Sequence, residues 1–202
     1  MLLARRSVLI GLALAGFVPE CAAAAPKLVQ VGTVQSVSGA CSVLSRGKRR
    51  PLTVGSPIFL FDTLATGDNA RLHLTLGEAT RLVLGERGRV RIDKFLVDHG
   101  GDVVLQGGAM LFDRPDDPES GPFNVTTPFG LIAARGTKFF AGPTKGLFGV
   151  FVHHGRVTVR NRGGIVSLTD GLGTDMASPR AAPTPAAPWA ADRIALAMRM
   201  VS

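Results

Sequence analysis

Phe123-Asn124-Val125-Thr126-Thr127-Pro128-Phe129-Gly130-Leu131-Ile132-Ala133-Ala134-Arg135-Gly136-Thr137-Lys138-Phe139-Phe140 is the stretch on which the fold turns. Its opening alternates apolar and polar residues, as a half-buried strand does. Pro128 and Gly130 punctuate it, and a second apolar run leads to Arg135-Gly136-Thr137. Gly136 lets the backbone bend, or approach another strand where a Cβ would clash. Thr137 suits a pleated surface and offers a hydroxyl to a neighbouring strand or turn. Arg135 presents a planar fork of donors for carbonyls or a carboxylate. No nucleophile stands beside a base, so the stretch is architecture and not a catalytic site.

Working outward, the 202 residues suffice for one domain with a real core. The 25 glycines and 13 prolines predict many short strands and turns, because they interrupt nearly every helical window. The formal net charge of +8 favours anionic partners in general. Nucleic acid fits that charge but conflicts with the export signal described next and with the lack of exposed aromatic platforms.

Residues 1–25 have the three regions of a secretory signal peptide: Arg5-Arg6, an apolar run from Val8 to Val18, and an alanine cluster from Ala22 to Ala25. The run is about half the length of a membrane span, so no permanent span is expected. The paired arginines leave both the twin-arginine and the general secretory route open. Cleavage after Ala23 or Ala24 removes Cys21 and leaves Cys41 as a single cysteine, which excludes an internal disulfide and suits a small buried hydrophobe. The product is expected in the periplasm or secreted.

Residues 26–176 form the expected β domain. Arg71 to Leu76, Arg81 to Leu84 and Arg89 to Ile92 alternate at strand period, with leucines inward and arginines, His73 and Thr75 outward. Arg46, Lys48, Arg49 and Arg50 form a candidate anion-binding turn, weighed against a solvated hairpin loop. Asp98 to Asp102 is expected as a polar turn. The acidic loop 113–121 lacks the spacing of a calcium loop. No acid–base, nucleophile or metal set assembles around His73, His153 or His154, so no enzyme activity, metal or cofactor is expected. Residues 177–188, rich in Ala and Pro, are expected as a linker. Residues 189–202 are expected as a short amphipathic helix with Ile194, Met198 and Val201 on one face, to pack back, dock a partner or lie on a membrane.

In order, these pieces resemble the FecR family, the periplasmic iron-dicitrate sensor domain and its relatives. The first half carries Gly32, Val34, the 46–50 turn, Val54-Gly55, Asp62-Thr63-Leu64 and Ala70-Arg71-Leu72. The second half is more specific: Phe123, Val125, Thr127 and Pro128, then Arg135-Gly136-Thr137 and Phe139, then Gly155 with Val157 and Val159. The resemblance implies an all-β domain of short antiparallel strands, solenoid-like or sandwich-like. It gives Thr127, Pro128, Arg135, Gly136, Thr137, Phe139 and Gly155 structural roles. In the family's founders the domain belongs to an anti-sigma regulator. Here the apolar run follows the N-terminus directly, so the expectation is a binding module exported without its own sigma-factor control segment. It would be a sensing or assembly accessory that binds an envelope protein or a small ligand. The alternative is a structural envelope protein that binds anionic polymer or lipid through its arginine-rich faces.

Overall fold

The computed structural model describes residues 28–96, 100–117 and 121–202. The expected leader, with Cys21, lies outside the described residues, as do Asp98 and His99 of the expected polar turn. In chain order the strands begin with β1 (Gln30–Ser38), β2 (Cys41–Ser45), β3 (Lys48–Pro51), β4 (Pro57–Phe59), β5 (Thr63–Thr66) and β6 (Arg71–Leu76). Then come β7 (Thr80–Leu84), β8 (Arg89–Leu96), β9 (Gly100–Gly107), β10 (Met110–Asp113) and β11 (Phe123–Thr127). The last are β12 (Gly130–Thr144), β13 (Leu147–Arg160), β14 (Ile165–Leu168), β15 (Leu172–Met176) and β16 (Ala187–Pro188), followed by one helix, α1 (Ala191–Arg199). The fold is all-β with a short C-terminal helix, as expected.

The strands join one hydrogen-bonded sheet that forks at β12. β13 lines one edge of β12 along nearly its whole length. The other edge is shared: β11 pairs with Gly130–Ala134, and β10 pairs with Lys138–Ala141. From β11 one leaf continues through β9, β8, β5 and β2 to β3, and from β10 a second runs through β7, β6 and β1 to β4. Alternation turns the apolar side of each leaf toward the other. Phe112 of β10 meets Phe123 of β11 at 4.5 Å between ring centroids, and Phe139 lies 5.3 Å from Phe112. Leu72, Leu74, Leu82, Val90, Ile92 and Val103 fill the same core.

The fork explains where pairing departs from chain order. β7 and β8 are consecutive yet belong to different leaves. β9 pairs with β11 in parallel, because the chain crosses through β10 in the other leaf before it returns. Gly100 to Asp102, expected in a turn, lie in β9. β12 and β13 run to 15 and 14 residues, longer than the short strands expected.

At the C-terminus, residues 177–188 are held against the sheet. The Thr184 carbonyl accepts from Thr174 Oγ1 at 2.7 Å, and the Ala181 carbonyl accepts from Asn161 Nδ2 at 2.7 Å. β16 pairs with β15. Trp189 then seats on Gly149 and Gly173, where a Cβ at Gly149 would lie 2.6 Å from the indole and one at Gly173 closer still. It stacks on Phe151 at 5.2 Å, and the Arg193 guanidinium lies 3.6 Å from its ring centre. Arg193 also pairs with Asp175 and donates to Thr144 Oγ1 at 2.7 Å. A nine-residue helix is marginal alone, so this docking sustains α1. Ala197 and Val201 are buried with Phe140 and Phe151, and Ile194 and Met198 pack beside them. The helix thus covers the outer side of the β10 leaf.

Candidate functional site

The seven motif residues divide into two structural groups. At the β11–β12 turn, Thr127 Oγ1 accepts from the amides of Phe129 and Gly130, both at 3.1 Å. Pro128 sets the turn beside it. The second group builds the fork. Gly136 has φ +55° and Gly155 has φ +93°, conformations that suit glycine. A Cβ on Gly136 would lie 2.6 Å from Asp116 Cα, and one on Gly155 would lie 2.7 Å from Thr137 Cγ2. The chain after β10 is wedged into the fork, with Arg114 N–H donating to the Thr137 carbonyl at 3.0 Å. Phe139 is fully buried and Arg135 is exposed.

Thr137 departs from expectation. Its side chain is buried, and its hydroxyl has no partner among the described residues, so the backbone carbonyl alone makes the cross-fork bond. Asp170 accepts from Gly155 N–H at 2.7 Å. That bond, with His154 beside it, holds the carboxyl below its ordinary range.

The basic residues at 46–50 do not share one turn. Arg46 (φ +48°) and Gly47 (φ +77°) make the two-residue reversal, while Lys48, Arg49 and Arg50 lie in edge strand β3. Strand parity separates Arg49 from Arg50. Arg50 is half-buried and donates to the Pro57 carbonyl at 2.6 Å, clasping the edge of one leaf to β4 of the other. Arg50 is therefore spent on the fold, while Lys48 and Arg49 stay exposed.

At the corner between β4 and β5, the sequence leaves Asp62 open to a turn-capping role but does not single out Phe61. Here the usual burial is inverted: Asp62 is 1% exposed and Phe61 is 67% exposed. Asp62 Oδ2 accepts from Phe59 N–H at 2.9 Å, and Phe61 N–H donates to the Ile92 carbonyl at 2.8 Å. These bonds hold Phe61 at φ +69°, which a bulky side chain rarely adopts and which costs about 1–3 kcal/mol. Leu28 and Val29 are also exposed, and they line with Phe61 and Arg46 a cleft of about 400 Å³. A rigid aromatic beside aliphatic side chains, with a guanidinium at the rim, suits a protein contact.

His73 and His153 are half-buried, and burial lowers both imidazole pKa values. His153 Nε2 lies 3.1 Å from Met198 Sδ, against the helix. Cys41 is buried, and burial raises its thiol pKa. Among the described residues no His, Cys, Asp or Glu group could hold a metal, and no helix is long and apolar enough to cross a membrane.

Residues 62–158 match the family model described as FecR protein. Two crystal structures of a candidate anti-sigma factor from Parabacteroides distasonis ATCC 8503 share the fold. They superpose with TM-scores of 0.57 and 0.58 at 18% and 17% identity. The aligned region covers 66% and 67% of this chain but 62% and 63% of those proteins. No curated protein matches the chain. Phe61, Arg46, Leu28 and Val29 all precede the matched stretch.

Proposed function

Because this chain carries a FecR-family domain, matched over residues 62–158, we propose that it works as an exported binding module that docks an envelope protein through the Phe61 corner. FecR-type domains are sensing and regulatory domains, and the similar structures are described as candidate anti-sigma factors. Binding is the step we assign, in the role of a sensing or assembly accessory in the periplasm. The observation that carries it is the inverted corner. A buried Asp62 holds Phe61 outward in a strained conformation, beside two exposed aliphatic residues. Such strain persists only where surrounding structure imposes it, and it clusters at binding and switch sites.

The test is site-specific photo-crosslinking in intact cells. A photoreactive phenylalanine analogue at Phe61 should yield one discrete envelope-protein adduct. The same analogue at Leu147, exposed but remote in sequence, should not. No adduct at 61, or the same adducts from both positions, would overturn the assignment.

A further inference from the structure

The helix covers the outer side of the β10 leaf; the outer side of the β11 leaf presents a different surface. Register places one row of side chains across it. Arg49 stands opposite Leu44, Leu44 opposite Thr63, and Thr63 opposite Arg91. The row continues from Arg91 to Val104, Thr126, Leu131, Arg160 and Ile165. At a strand spacing of about 4.8 Å, it spans roughly 38 Å, with the arginines about 14 and 19 Å apart. Leu131 and Ile165 are 38% and 59% exposed, and Leu44 and Val104 are half-buried. Arg89, two residues from Arg91, adds a further cation on the same face.

On this face Arg49, Arg89, Arg91 and Arg160 outnumber the acids Asp93 and Asp102. Asp93 is taken up by Arg91, and Asp102 accepts from Asn124 Nδ2 at 2.7 Å. Among the described residues Arg49, Arg89 and Arg160 make no ion pair or hydrogen bond. Arg49 also lines an open cleft of about 490 Å³ with Ser42 and Ala65.

We propose that this face binds an anionic phospholipid surface. Guanidinium groups take phosphate oxygens in bidentate fashion. The interleaved Leu44, Val104, Leu131 and Ile165 supply what a soluble polyanion has no use for, apolar area for the boundary between headgroups and acyl chains. Long arginine side chains reach to the phosphates from beside such apolar contacts. This gives the arginine-rich alternative a location, and it is independent of the Phe61 corner and its protein partner.

The experiment uses the leader-processed chain with vesicles of phosphatidylglycerol and phosphatidylcholine, and with phosphatidylcholine alone. The chain should co-sediment with the anionic vesicles only, and the binding should fade between about 0.1 and 0.5 M salt. Each cation near the surface multiplies partitioning by about five, so R49E/R89E/R160E should weaken it by at least the order of 100-fold. R81E/K145E/R199E changes the charge equally elsewhere and should weaken it far less. As a readout that does not depend on how well a charge-reversed variant folds, brominated lipid should quench Ile165→Trp but not the wild-type Trp189, which is buried against β13, β15 and the Arg193 guanidinium. Equal binding to neutral vesicles, equal loss in both triple variants, or absence of quenching at 165 would overturn the proposal. So would binding to soluble polyphosphate or to an acidic protein without binding to vesicles.

Discussion

Replacing Gly136 with alanine tests the account of the fork, because two costs add there that separate elsewhere. The first is conformational: an L-residue at φ +55° is disfavoured by about 1–2 kcal/mol. The second is steric: the new Cβ would lie 2.6 Å from Asp116 Cα, backbone that cannot rotate away, and overpacking of this kind costs about 1–3 kcal/mol. Gly47 isolates the first cost. It has φ +77° and open space around its would-be Cβ. Gly47→Ala should therefore lose about 1–2 kcal/mol and Gly136→Ala about 2–5 kcal/mol, or roughly 2–8 °C against 4–20 °C in melting temperature for a chain of this size. Far-UV circular dichroism on heating, with urea titration for the free energy, reads both. The result that refutes the wedge is equality of the two variants. It would mean that the segment after β10 yields at no cost and does not hold the leaves apart.

Three further outcomes follow from other contacts. Thr137→Val exchanges an unpartnered buried hydroxyl for a methyl of the same shape and should be neutral or stabilising by up to about 2 kcal/mol; a loss above about 1 kcal/mol in urea titration would show that the hydroxyl is bonded. Asp62→Ala leaves the Phe59 N–H without its acceptor and should cost about 1–3 kcal/mol, and it should also erase the photo-crosslink from position 61; a stable variant with the crosslink intact would refute the turn's role. Acid should destabilise the chain. The unfolded imidazoles titrate near 6.5 and the folded ones lower, so the unfolded state binds more protons below that value, and the histidines' contribution, full above it, declines as pH falls. Melting temperature should drop between about pH 7 and 5, and His73→Gln/His153→Gln should flatten the histidine part of the slope; an unchanged slope would refute it.

The leaves themselves were legible because burial on one side imposes period two. Leu72, Leu74 and Leu76 alternate with Arg71, His73 and Thr75 in the sequence as they do in β6, and the apolar face of 189–202 packs as its spacing predicts. Pairing order was not legible, since alternation fixes a strand's faces and is silent about its neighbours. Nothing local in β10 or β11 says that both share one edge of β12; that follows from the space Gly136 and Gly155 make for a third segment. The basic 46–50 run misled for a related reason. Charge composition marks a surface, but parity decides whether each cation meets solvent, and it sends Arg50 to a carbonyl of the other leaf.

The Phe61 corner was hidden because it breaks the rules that make the rest readable. Pro57 to Leu60 continue a core pattern, and polarity would place Phe61 inward and Asp62 outward. The Asp62 carboxylate instead takes the Phe59 N–H, and a buried carboxylate satisfied in this way can outweigh the inversion of one aromatic ring. The cost falls on Phe61, which is both exposed and strained. Natural sequences agree with their folds at most positions and depart from local preference mainly where function or strain demands it. Leu28 and Val29 remain exposed beside the corner, where burying them would gain roughly 1.5–3 kcal/mol each. A partner that covers these residues recovers that apolar burial and uses the conformation Asp62 has already set. The strain is therefore an argument for docking at this corner and not at the fork, whose unusual backbone is accounted for by the fold alone.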